Sequence, residues 1–130
     1  MSAKLFDSSF DVLQKSLDMH LLRHAVIADN IANAETPGFK ARRVDFEAEL
    51  QKAVEHGEGQ DDHVVTNSVL GLKPNIYDDP LSETGQDHNS VDMDREMASM
   101  TKNDTQYSAA TQAVTKKFAL LKYAISEGDR

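Results

Sequence analysis

Apolar positions near the N-terminus recur in alternating steps of four and three residues. The stripe comprises Phe6, Phe10, Leu13, Leu17, His20, His24, Ile27, Ile31 and Ala34. This spacing puts its members on one face of a helix, as at the a and d positions of a coiled coil. The pattern predicts a helix over about residues 6–34, ended by Pro37 and Gly38, because helix is disfavoured before proline and glycine tolerates positive φ. A second apolar row runs beside the stripe and comprises Leu21, Ala25, Ala28 and Ala32.

The C-terminal end carries a second stripe with the same alternation. Its positions are Met93, Met97, Met100, Asp104, Tyr107, Thr111, Val114, Phe118, Leu121 and Ile125. Acids at the start of this segment and lysines in its second half suit the dipole of a helix. We expect Ser90 or Asp92 to cap this second long helix and Gly128 to end it.

The charge of the chain is concentrated between these two stripes. Residues 57–94 hold nine acids and one base, which accounts for the whole net charge of −8. They also hold four of the six glycines and two of the three prolines, with short apolar stretches only at residues 64–65 and 70–77. So few apolar residues predict an irregular, solvated acidic segment without a core of its own, with room for at most one weak strand pair.

These patterns predict a mainly α fold in which the two terminal helices pair as an antiparallel coiled-coil hairpin. Phe46, Leu50 and Val54, spaced four apart, predict a short third helix. The expected segments are an N-terminal helix (1–36), a turn with the short helix (37–56), an acidic variable loop (57–90) and a C-terminal helix (91–130). Because each long helix has more than one apolar row, a lone hairpin would leave apolar surface in water, which indicates packing against other subunits.

The residue content argues against most catalytic and metal sites. The absence of cysteine excludes disulfides, zinc–thiolate sites and a cysteine nucleophile. No phosphate-binding glycine motif or nucleophile turn is present. His20 and His24 have the i, i+4 spacing of metal ligands but no third ligand is indicated, so we interpret them as structural. We therefore predict neither an enzyme nor a cofactor, metal or small-molecule substrate.

Membranes and nucleic acid are also disfavoured as partners. No apolar run approaches the length of about 20 residues that a membrane span needs. The N-terminus has no apolar core of a cleavable secretory signal. The acidic balance argues against nucleic acid as a partner.

One string stands out from these general patterns. Residues 28–39 read Ala-Asp-Asn-Ile-Ala-Asn-Ala-Glu-Thr-Pro-Gly-Phe. We expect Asn30 and Asn33 to bond free backbone groups at the helix end, and Phe39 to pack back on the helix. The string closely resembles the N-terminal signature of the axial proteins of the bacterial flagellum. The matching positions are Asn30, Ile31, Ala32, Asn33, Thr36, Pro37, Gly38 and Phe39.

Two further stretches resemble the proximal members of the flagellar basal-body rod protein family. They are residues 40–46 and residues 87–98, the latter reading Asp-His-Asn-Ser-Val-Asp-Met-Asp-Arg-Glu-Met-Ala. His88 and Ser90 depart from the family pattern, which has Gly and Asn there. The resemblance covers about residues 5–50 and 87–126.

The resemblance implies a structural subunit of the proximal rod, in the flagellar basal body at the inner membrane and periplasm. It implies export by the type III apparatus without a cleaved signal peptide, assembly through the terminal helices, torque transmission and a place at the base of the export channel. The implied partners are copies of itself, other proximal rod proteins, the adaptor between MS ring and rod, the MS ring and the export gate.

Helix packing and subunit contacts are assigned to a set of stripe residues. They are Phe10, Leu13, Leu17, Ile27, Ile31, Met97, Met100, Tyr107, Val114, Phe118, Leu121 and Ile125. Two alternatives stay open: another proximal rod subunit of the same family, and a soluble coiled-coil adaptor in which the signature arose by chance.

Overall fold

The computed structural model describes residues 7–57, 59, 61–82 and 90–128. These residues form four helices and two short strands. In chain order they are α1 (Ser8–Ala32), β1 (Arg42–Asp45), α2 (Glu47–Glu55), α3 (Asp62–Leu70), β2 (Asn75–Asp78) and α4 (Met93–Gly128). The predicted mainly α fold is confirmed. Of the helices described, none combines the length and apolar character needed to cross a membrane.

The two long helices, α1 and α4, lie side by side and run in opposite directions. Phe10, near the start of α1, contacts Phe118, near the end of α4, with ring centroids 5.1 Å apart. Further along α1, His20 Nδ1 lies 2.9 Å from Asn103 Oδ1 in the first half of α4. With 36 residues against 25, α4 continues past the first turn of α1. Coiled-coil packing of the pair stays a prediction.

At two places on α4, the buried residue is the one just before the predicted stripe position. Glu96 and Asn103 are 0% and 2% exposed, whereas Met97 and Asp104 are exposed. The exposed stripe positions are Met93, Met97, Asp104, Thr111, Phe118 and Ile125, and the partly buried ones are Met100, Tyr107, Val114 and Leu121. The offset arises because two polar side chains find partners in the interior, which a hydrophobic pattern does not reveal.

The apolar core lies on the other side of α1. Met19 and Val26 pack there with Val44 of β1. Phe46, just before α2, and Leu72, just after α3, complete the cluster. Burying side chains of this size contributes about 1.5–3 kcal/mol each. The predicted second row of α1 (Leu21, Ala25, Ala28, Ala32) is exposed.

The expectation of an irregular acidic middle segment is wrong for Asp62–Leu70, which form α3. β2 also lies within the segment and pairs antiparallel with β1, with Ile76 opposite Val44. The prediction counted apolar residues and overlooked their spacing: Val65, Val69 and Leu72 follow at i, i+4 and i+7, so a few residues suffice to bury one helix face. Val69 is fully buried. Residues 83–89 of the segment lie outside the described part of the chain.

Candidate functional site

The signature string forms the end of α1 and the turn that follows it. The Asn33 side chain donates from Nδ2 to the Asp29 carbonyl oxygen at 2.8 Å, and the same oxygen accepts from the Asn33 backbone N–H at 3.1 Å, so two bonds close the last helical turn. The Thr36 N–H then donates to the Asn33 carbonyl oxygen at 2.9 Å. Gly38 completes the reversal with φ +76°, a conformation that side chains with a Cβ rarely adopt. The chain thereby turns back along α1 and enters β1.

Asn30 has a different role from the helix-end cap expected of it. Its side chain is fully buried, and its Oδ1 accepts from the Arg42 N–H at 2.9 Å. Its Nδ2 donates to the Arg42 carbonyl oxygen at 2.9 Å. Arg23, two turns earlier on α1, donates to the Val44 carbonyl oxygen at 2.8 and 3.0 Å. The side chains of α1 therefore occupy the edge of β1 that β2 leaves open.

Asn30 also connects this turn to a buried carboxylate on α4. Its Nδ2 donates to Glu96 Oε2 at 3.0 Å. Arg43 donates to the two oxygens of Glu96 at 2.6 and 3.2 Å, and from its Nε to Asp79 Oδ2 at 2.8 Å. Arg95 donates to Asp79 Oδ2 at 2.7 Å. Two carboxylates and two guanidiniums thus satisfy one another, as buried charges require.

The electrostatics keep the Asp79 carboxylate of this network ionised at neutral pH. Burial raises the pKa of Asp79, but the Leu81 N–H and the Arg43 guanidinium hydrogen-bond its oxygens and bring the pKa below its usual value. Glu47, at the start of α2, behaves in the same way. Burial raises its pKa, but the hydrogen bonds from Arg23 prevail and lower it to about 2.

This network, the signature clamp, consists of Asn30, Arg42, Arg43, Asp79, Arg95 and Glu96. It joins the end of α1, the strand pair and the start of α4, three regions far apart in sequence. Its two buried carboxylates, Asp79 and Glu96, are hydrogen-bonded within the network. The clamp is therefore suited to holding helices in a fixed register.

The two histidines of α1 contact α4. His20 pairs with Asn103, whose Nδ2 also donates to the His20 carbonyl oxygen at 2.9 Å. His24 Nδ1 lies 3.0 Å from Asp104 Oδ1. Among the described residues, no group of three or more His, Cys, Asp or Glu side chains is placed to hold a metal ion. Both histidines thus contribute to packing between the helices.

The other residues singled out from the sequence are divided between interior and surface. Ile27 is buried, while the remaining α1 positions, Phe10, Leu13, Leu17 and Ile31, are partly buried. Met97, Phe118 and Ile125 are about half exposed or more, so any packing role of Met97 and Ile125 requires another subunit. Sequence reasoning missed Arg43, Asp79 and Glu96 as site residues, because the clamp becomes visible only when the turn brings them together.

The region that contains the end of α1 matches a known protein family. The family described as "Flagella basal body rod protein" matches residues 21–40. The "Flagellar basal body rod protein FlgB" of Borrelia hermsii is 38% identical over 125 residues, covering 88% of this chain and 93% of the relative. Its namesakes from Proteus mirabilis (strain HI4320) and Escherichia coli (strain K12) are 31% and 30% identical, covering 94% and 95% of this chain and 96% of each relative. The chain therefore belongs to the FlgB family of flagellar basal body rod proteins.

Proposed function

We propose that this protein is a structural subunit of the proximal rod of the flagellar basal body. The observation that carries the proposal is the match to FlgB proteins over nearly the full length of both chains. The family is one of structural rod proteins, and the chain is not an enzyme. Its terminal helices, α1 and α4, would pair as a coiled coil and pack against other rod subunits, with the stripe residues and the exposed α1 row at the contacts.

The clamp supports a role in carrying torque. Hydrogen bonds between charged groups are short and directional, so they resist sliding of one helix along the other better than apolar contacts alone. Glu96 and Arg43 fix the start of α4 to the strand pair, and Asn30 fixes both to the end of α1. A subunit braced in this way transmits a rotational load between its neighbours without changing helix register.

The modest apolar core supports export before assembly. In the part of the chain that the structure describes, the buried core cluster contains five side chains, and several interior positions are polar. We propose that the chain is exported by the type III apparatus without a cleaved signal, and that assembly supplies part of the stabilising burial. Its neighbours would be copies of itself, other proximal rod proteins, the MS-ring adaptor, the MS ring and the export gate, where it would form the base of the export channel.

The test is to detect the protein in purified hook–basal bodies by mass spectrometry. A strain lacking the gene is complemented with the wild-type chain or with Leu21→Asp, which places a charge in the exposed α1 row. We expect the wild type in fixed ratio to rod and ring proteins, and Leu21→Asp exported but strongly depleted from the rod. The matched control is Leu81→Asp, at an exposed leucine outside both long helices, which is expected to incorporate normally.

Two results would contradict the proposal. Recovery of the wild type only as a free helical oligomer in the cytosol would favour the adaptor alternative. Equal incorporation of Leu21→Asp and wild type would remove the α1 row from the subunit contacts. Crosslinking the protein in basal bodies shows whether its neighbours are ring proteins or distal rod proteins. The identity of these neighbours distinguishes this position from that of another proximal rod subunit.

A further inference from the structure

An open groove runs between α1 and α4 on one flank of the helix pair. It has a volume of about 500 Å³ and a mainly apolar lining. Its walls include Leu17 and Leu21 from α1 and Tyr107 and Val114 from α4, and its α1 rim carries Asp11 and Asp18. The groove thus combines an apolar floor with an acidic edge, which suits a helix that presents apolar and basic side chains.

The opposite flank of α4 presents such a surface. Lys116, Leu120 and Tyr123 follow at i, i+4 and i+7, so they form one row along the helix. At about 100° per residue, this row lies well away from the side of α4 on which Val114 lines the groove. Leu120 is 70% exposed and Tyr123 is 64% exposed. Large apolar side chains grouped at such exposure mark an interaction surface.

We propose that this row, the α4 ridge, occupies the groove of a second copy of the chain. The inference rests on the proposed function, in which copies of the chain pack together. Charge complementarity at one point of the contact supports this occupant, because Lys116 is exposed and forms no ion pair with any described residue, while Asp18 is exposed on the groove rim. The acid of the same row, Glu127, lies beyond Tyr123 in the last turn of α4. In a chain of net charge −8, copies repel at long range, so a local contact of opposite charges also fixes which surfaces meet.

The geometry of this contact predicts the form of the assembly. Ridge and groove are different surfaces of one molecule, so the contact is heterologous: in a pair, one copy keeps a free groove and the other a free ridge. Repetition of the contact generates an open helical series unless its rotation closes into a ring. An open series is what a rod requires of its subunits.

Disulfide crosslinking tests the contact without background, because the natural chain has no cysteine. The double variant Leu21→Cys/Leu120→Cys places one thiol at the groove and one on the ridge. It is expressed in cells that lack the wild-type gene, and their basal bodies are purified and oxidised. We expect a ladder of dimers, trimers and longer chains on a non-reducing gel. The control Leu81→Cys/Leu120→Cys is expected to stay monomeric.

The outcomes separate this inference from the proposed function. Absence of the wild-type chain from basal bodies would overturn both. Incorporation of the double variant without a ladder, dimers only, or crosslinks to a different protein would overturn the ridge-and-groove contact and leave the rod assignment intact.

Charge reversal provides a second measurement that does not depend on thiols. Asp18→Lys and Lys116→Asp each bring like charges together, and we expect each to lower incorporation about fivefold or more. Combining the two changes restores opposite charges and is expected to recover most of the loss. Lys122→Asp makes the same change in charge away from the ridge and should have little effect. Failure of the double reversal to recover incorporation would contradict the pairing of Asp18 with Lys116.

Discussion

Replacing Glu96 by alanine is the most direct test of the signature clamp. The change removes two hydrogen bonds from Arg43 and one from Asn30. It also leaves a guanidinium whose side chain is only 15% exposed with Asp79 as its remaining carboxylate partner. Breaking a buried ion pair from one side costs about 3–5 kcal/mol. Because Asp79 still neutralises part of the charge, we expect a loss near 3 kcal/mol, a large share of a typical stability of about 5–15 kcal/mol.

The assay is urea unfolding of the purified full chain at neutral pH, followed by the helical circular dichroism signal. The matched control is Glu49→Ala, which removes an ion pair to Lys52 whose side chains are both more than half exposed. Solvent screens such surface pairs and leaves them little net stabilisation, so the control should leave the urea midpoint nearly unchanged.

A double-mutant cycle with Arg43→Leu isolates the interaction itself. If the two residues act as a pair, the double variant loses less stability than the sum of the single variants, with a coupling of about 1–3 kcal/mol. A loss below about 1 kcal/mol for Glu96→Ala would refute the reasoning. Strictly additive effects of the two changes would also refute it.

Three further predictions concern pH and two glycines. Hydrogen bonds from Arg23 lower the pKa of Glu47 from 4.5 to about 2, so the stabilisation from this ion pair is present above pH 4.5 and is lost as the pH falls toward 2. The free energy of unfolding should therefore fall less steeply with acid in Glu47→Gln than in the wild type, and equal slopes would contradict the assignment. Gly57→Ala would put a Cβ in overlap with Val65 Cγ2, and we expect thermal unfolding to report a loss of about 1–3 kcal/mol, whereas an unchanged melting temperature would show that α3 shifts without cost. Gly38→Ala meets no atom within 4 Å but must adopt φ +76°, so a loss of about 1 kcal/mol from strain alone is expected in the same assay, and no loss would show that the turn relaxes.

The sequence was most informative where apolar spacing and turn chemistry coincide. The alternating stripe predicted α1 and α4 because helices bury residues at this period, and Pro37 with Gly38 marked the reversal after α1. α2 likewise occupies the place where apolar residues four apart predicted a short helix. These features depend on residues that are close in sequence, so one amino-acid sequence is enough to predict them.

The clamp depends on neighbours in space and could not be found in this way. Glu96 looks like a surface residue, because ionised side chains are almost never buried unless they are paired. Its partners, Asn30 and Arg43, are more than fifty residues away. The stripe therefore predicted that Met97 is buried. In the structure Glu96 is buried instead, where it pairs with Arg43, and Met97 is exposed. The helix of the middle segment was missed for a simpler reason, since its acidic composition concealed the spacing of three apolar residues.

The order in which the clamp residues are synthesised has a consequence for the timing of folding. Asn30 is made early, while its partner Glu96 follows 66 residues later. Until Glu96 is made, a nascent chain therefore carries α1 with a buried polar partner of Asn30 missing. Closing so long a loop also carries an entropic cost before any contact compensates for it. The native packing at the end of α1 therefore waits for the start of α4, however early α1 itself is synthesised.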